Sequence, residues 1–137
     1  MPKSEPAAGD RGSASLVVGE GDLASVLGSA PGESYPAVFA TTRMIALMEL
    51  ACGRVLLPHL LPGELSVGVV VNVKHSAATL PGVTATARAR YLGRDSKLYK
   101  FEVWAEDAGG EIGRGLHSRA VVTTERLLQG AKKRGGG

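Results

Sequence analysis

The chain of 137 residues contains one cysteine, Cys52, so no intrachain disulfide can form. A lone thiol inside an apolar stretch reads as a small buried hydrophobe. It also fits a reducing compartment, and the cytoplasm is the expected location. Aromatic residues make up only 4%, so Val, Leu and Ala must fill the core. Every apolar run is broken by Arg, Glu or Pro well before ~18 residues, so no membrane span is expected. The start, "MPKSEPAAGDRGSAS", has no apolar stretch of the kind a signal peptide carries. Clusters of like charge are missing from the body of the chain. The net charge is +3, and Lys132, Lys133 and Arg134 near the C-terminus account for it. That balance argues against a nucleic-acid partner. The three histidines lack a close metal-ligand spacing, and HExxH, P-loop, dinucleotide-fingerprint and GxSxG motifs are absent. No metal and no cofactor is expected.

Apolar residues reach 44%, enough for one compact domain. Composition assigns it to residues 14–129, with 1–13 and the basic, Gly-rich 130–137 expected to be disordered. "SLVVGEG", Ser15 to Gly21, reads as a short first strand. "TTRMIALMELACGRVLL" reads as a long apolar helix, with Thr41 or Thr42 as N-cap and an end before Pro58. The period then changes. Val67, Val69, Val71 and Val73 alternate onto one strand face, and His75 continues it. Three further alternating stretches follow, near 83–91, 99–106 and 112–124, joined by short turns. Short turns make antiparallel pairs, not parallel crossovers. The expected class is α+β: one apolar helix covered by a curled antiparallel sheet, or by a sheet and a second subunit.

Glu49 interrupts the helix. At ~100° per residue it lies beside Ile45, Gly53 and Leu56, while Arg43 and Arg54 project roughly a third of a turn or more away. It therefore has no cation on its own helix face. Two readings follow: a carboxylate paired with a cation from elsewhere, or an acid in an apolar cleft whose desolvation suits it to general-base work. His75 is likewise either a satisfied core histidine or a site residue. His59 reads as a loop residue. His117 falls on the polar side of the last strand and reads as structural.

"PAVFATTRMIALMELAC", "LPGE", "VKHSAATLPG" and "EIGRGLHSRAVV", in this order and spacing, resemble the fluoroacetyl-CoA thioesterase branch of the hot-dog thioesterases over roughly residues 35–125. The resemblance implies a hot-dog fold, a long central helix wrapped by a curved antiparallel sheet, usually dimeric. It implies hydrolysis of a short acyl-CoA, with Thr41, Glu49 and His75 as catalytic positions and Tyr35, Gly68 and Arg119 in the substrate pocket. CoA enters as part of the substrate, and the expected assembly is a homodimer or higher oligomer. Asp-x-x-Gly-His-x-Asn and Asp-x-Asn-x-x-His runs are missing, which favours a thioesterase over a hydratase. Where the branch carries two phenylalanines over the acyl group, this chain has Gly32 and Tyr35, which leaves the acyl group open. The class alternative is a non-catalytic acyl-CoA-binding hot-dog module.

Eight residues of ideal helix span about 12 Å, too far for a direct Thr41–Glu49 hydrogen bond. Either Thr41 sits in a turn folded back beside the helix, or two subunits share the site; the second is preferred. Exposed cations that can meet CoA phosphates include Lys74, Arg88, Arg90, Arg94, Lys97 and Lys100, with none singled out.

Overall fold

A computed structural model describes residues 4–136. The elements are β1 (Arg11–Val17), α1 (Thr41–Leu56), β2 (Glu64–His75), β3 (Thr84–Asp95), β4 (Leu98–Asp107), β5 (Gly110–Thr123) and α2 (Thr124–Gly135). All strand pairs are antiparallel, in the order β1-β3-β4-β5-β2. The sheet curls around α1, which packs chiefly on β1 and β3. Ala85, Ala87 and Ala89 of β3 are fully buried, and their small side chains admit the helix face formed by Met44, Met48, Cys52 and Val55. Among the described residues, no helix is long and apolar enough to cross a membrane.

Several expectations about the ends are corrected. The first strand begins at Arg11, inside the segment expected to be disordered, because its backbone pairs with β3 from Arg11↔Arg90 to Val17↔Thr84. The preceding residues are also tied down: Gly9 and Tyr91 are bridged through backbone, and the Tyr91 hydroxyl donates to Glu5. The strand stops before Gly21 because the chain turns at Glu20–Asp22, where Asp22 accepts the Gly19 N–H. The C-terminal segment is helical as far as Gly135. The Thr123 hydroxyl caps α2 by accepting the Arg126 N–H, and Lys132, Lys133 and Arg134 complement the negative end of its dipole. Met1–Lys3 and Gly137, at the extremes of the two expected tails, lie outside the described residues.

α1 ends at Leu56, and Pro58 lies in the single 3₁₀ turn that follows. Its N-cap, however, is Ala40, and Thr41 is the first helical residue. β2 departs from simple alternation. Its register against β5 slips between Gly68 and Val70, a bulge that inserts one residue. Ser66 and Gly68 before the bulge, and Val73 and His75 after it, therefore share the helix-facing side, and Val67 does not continue the face of Val71 and Val73.

Candidate active site

Two clusters of polar side chains border α1. The first lies at its N-terminus. Thr41 Oγ1 and His75 Nδ1 are 2.7 Å apart, joining the first helical residue to the last residue of β2. Ala40 at the N-cap offers no side chain to the first-turn amides; Arg43 N–H turns to the Ala40 carbonyl, and the positively polarised N–H groups of Thr41 and Thr42 are left to face an incoming anion or carbonyl oxygen. Burial pushes the His75 imidazole below its ordinary pKa of 6.5, so it is neutral at pH 7. Its Nε2 is buried and has no hydrogen-bond partner among the described residues. A cavity of about 330 Å³ opens here, with Pro36, Val38, Phe39 and Ala77 beside Thr41 and His75.

The second cluster lies about two turns further along the helix, at Glu49. Glu49 Oε2 accepts from Arg119 Nη1 at 3.1 Å. Arg119 is held by Ser66, donating from Nε to Oγ at 3.0 Å and from Nη2 to the carbonyl at 2.9 Å. His117 Nδ1 is 2.7 Å from the Val70 carbonyl, which can only accept, so the proton sits on Nδ1. Nε2 then accepts from Arg119 Nη1 at 3.2 Å and stands 3.9 Å from Glu49. Burial, aided by the Arg119 charge, holds the His117 pKa below 6.5. Gly68 closes the cluster: a Cβ there would run into Glu49 Oε2 and come within 3.1 Å of His117 Cε1. Glu49 and Arg119 face a cavity of about 510 Å³ with Leu16, Leu47, Leu50 and Leu57.

Within one chain, then, Thr41 and His75 meet, as do Glu49, Gly68 and Arg119, but none of the described residues lines both cavities. Of the two readings of Glu49, pairing with a distant cation describes the geometry, with the carboxylate side chain 38% exposed beside Arg119. Tyr35 lies outside both linings; its ring packs on Gly28 and its hydroxyl donates to Glu33. His59 is hydrogen-bonded to Ser4. His117 corrects the sequence reading: it is 2% exposed and faces the helix. The signal was present, because His117 and Arg119 are two apart on one strand and must share a face.

The comparisons with known proteins converge. A family model described as fluoroacetyl-CoA-specific thioesterase matches residues 18–125. The fluoroacetyl-CoA thioesterase of Streptantibioticus cattleyicolor is 45% identical over 93 residues, 68% of this chain and 67% of that one. A solved fluoroacetyl-CoA thioesterase superposes with a TM-score of 0.89 at 35% identity, covering 95% of this chain and 98% of its own. A thioesterase-superfamily protein of Thermus thermophilus superposes at 0.83 with 26% identity, covering 95% and 96%.

Proposed function

The chain belongs to the fluoroacetyl-CoA-specific thioesterase family and has the hot-dog fold, and from that premise we propose that it hydrolyses a short-chain acyl-CoA thioester to free acid and CoA in a site shared by two subunits. The observation that carries this reading is the Thr41–His75 pair, set at a helix N-terminus without a side-chain cap, beside a cavity and with His75 Nε2 unpartnered.

The chemistry follows from the charges. Attack on the thioester carbonyl puts negative charge on its oxygen, and the open amides at the start of α1 are oriented to stabilise it. The Thr41 hydroxyl either attacks or positions the carbonyl. Glu49 of the partner subunit acts as nucleophile or as base for water, and its pair with Arg119 fixes its direction. Neutral His75 moves protons between the attacking oxygen and the leaving sulfur. Water supplies the oxygen of the acid and the proton of the CoA thiol, so no cofactor is required.

A homodimer is supported by the edge of the sheet. β2 is an edge strand, and Val69, Val70 and Val71 are all about half exposed. Three such valines on an unpaired edge invite a partner strand. Leu50 and Leu57, beside Glu49, are also exposed. The buried, free Cys52 fits a cytoplasmic location.

The test is a thiol-release assay over short acyl-CoAs, including acetyl-, fluoroacetyl-, branched and aromatic ones. Glu49→Ala and His75→Ala should each reduce turnover by orders of magnitude while the protein stays folded. Saturable binding with no thiol release at any pH would favour the non-catalytic acyl-CoA-binding module instead.

A further inference from the structure

The positive charges of this chain are unevenly partnered. Arg43, Arg88, Arg90, Lys100, Arg114 and Arg119 each face a carboxylate. Arg11 and Arg94 lie over aromatic rings, and Arg54 donates to the Ser13 carbonyl. Apart from Lys74 on β2, the described cations without such a partner gather at one end of the molecule. They are Lys97, in the turn between β3 and β4, and Arg126, Lys132, Lys133 and Arg134 on α2. Three of these residues account for the net charge of the whole chain.

They border two adjoining hollows that share Arg126. One, of about 500 Å³, has Lys97 and Arg126 around an apolar floor of Val121, Val122 and Leu127. Its single acid, Glu64, accepts the Leu61 N–H. The other, of about 470 Å³, is bordered by Arg126, Lys132 and Lys133. An apolar floor edged by unpaired cations suits a heteroaromatic base with phosphates, and a guanidinium can grip a phosphate through two parallel hydrogen bonds.

The groove also lies in line with the Glu49 cluster. Arg119, Val121 and Thr123 alternate onto one side of β5, opposite Gly68, Ser66 and Glu64 of β2. Four strand residues from Arg119 to Thr123 cover roughly 13 Å. That separation is of the order of an extended pantetheine arm. We propose that α2, with Lys97, forms the subsite for the nucleotide end of CoA. Its phosphates lie on Arg126, Lys132 and Lys133, and its adenine against Val121 and Leu127. The proposal rests on the acyl-CoA reading above and adds where the nucleotide is held.

The experiment uses the full chain and the triple variant Arg126→Ala/Lys132→Ala/Lys133→Ala, all at exposed helix positions where alanine keeps the helix. kcat/KM is measured for one acyl group carried on CoA and on pantetheine. The preference for CoA should fall about tenfold in the variant. For the unaltered chain, KM for acyl-CoA should rise with added salt more steeply than KM for acyl-pantetheine. An unchanged preference, or equal salt dependence of the two substrates, overturns the subsite. If the unaltered chain hydrolyses neither thioester, the hydrolase reading fails separately. Calorimetric binding of CoA and pantetheine to the same two proteins then decides the subsite: selective weakening of CoA supports it, and equal binding overturns it.

Discussion

Glu49 on α1 occupies the space that a Cβ at Gly68 on β2 would need. The glycine is thus a mould for the carboxylate, not a flexible joint. Gly68→Ala must push Glu49 away from Arg119 or shift the bulged strand. Overpacking of this kind costs about 1–3 kcal/mol. A shift of the carboxylate by an ångström is expected to lower thioester turnover by about a hundredfold. Thermal unfolding and thiol release on the same preparation check both outcomes; wild-type turnover in the variant would show that the placement of Glu49 is unimportant.

Arg119 reaches four acceptors with three nitrogens: Ser66 Oγ from Nε, the Ser66 carbonyl from Nη2, and both Glu49 Oε2 and His117 Nε2 from Nη1. A lysine keeps the charge but has one nitrogen on a flexible stem. Arg119→Lys should therefore lose about 1–2 kcal/mol of stability, several degrees in Tm, together with most of the activity. Full activity in Arg119→Lys would reduce the arginine to a point charge.

The sequence exposes the two halves of this arrangement unequally. The helix, the antiparallel order and the isolation of Glu49 from Arg43 and Arg54 follow from local periodicity, because they involve residues a few positions apart. The pairing of Glu49 with Arg119 spans seventy residues and depends on the β2–β5 register. That register contains the bulge after Gly68, and nothing in "SVGVVVNV" marks which valine is the extra one. A one-residue slip exchanges strand faces, so simple alternation groups Val67 with the wrong neighbours. His117 was legible through its spacing from Arg119, but two glycines and an arginine around it made that face look polar. The start of β1 at Arg11 and the continuation of α2 past Gly130 are hidden for a different reason. Their composition is that of a loop, and tertiary pairing and a Thr123 cap override it.

Half-buried His75 and buried His117 set a pH window. Burial lowers the pKa of both His75 and His117 in the folded chain from 6.5. In the unfolded chain each takes up a proton near 6.5, so between the folded and unfolded values the unfolded state binds more protons. Stability is therefore complete above pH 6.5 and declines as the pH falls from 6.5 through the folded values. The acid limb of kcat/KM should also have its midpoint below 6.5, where neutral His75 is lost. Tm and kcat/KM measured from pH 5 to 8 test this at about half-unit steps; an acid midpoint above 6.5 would exclude neutral His75 as the group that titrates.

Thr41 and Glu49 line separate cavities, which gives the shared site a direct test. Thr41→Ala removes the hydroxyl beside His75, and Glu49→Ala removes the carboxylate beside Arg119. Each variant alone should be nearly inactive, since each homodimer then carries the same defect in both sites. A mixed dimer is different if the site takes Thr41 from one subunit and Glu49 from the other. One of its two sites then has both defects and the other has neither. Random exchange makes half of the dimers mixed, each with one intact site, so co-refolding the two variants should restore about a quarter of wild-type activity. If both groups act within one chain, no site in the mixture is intact, and activity stays at the level of the separate variants.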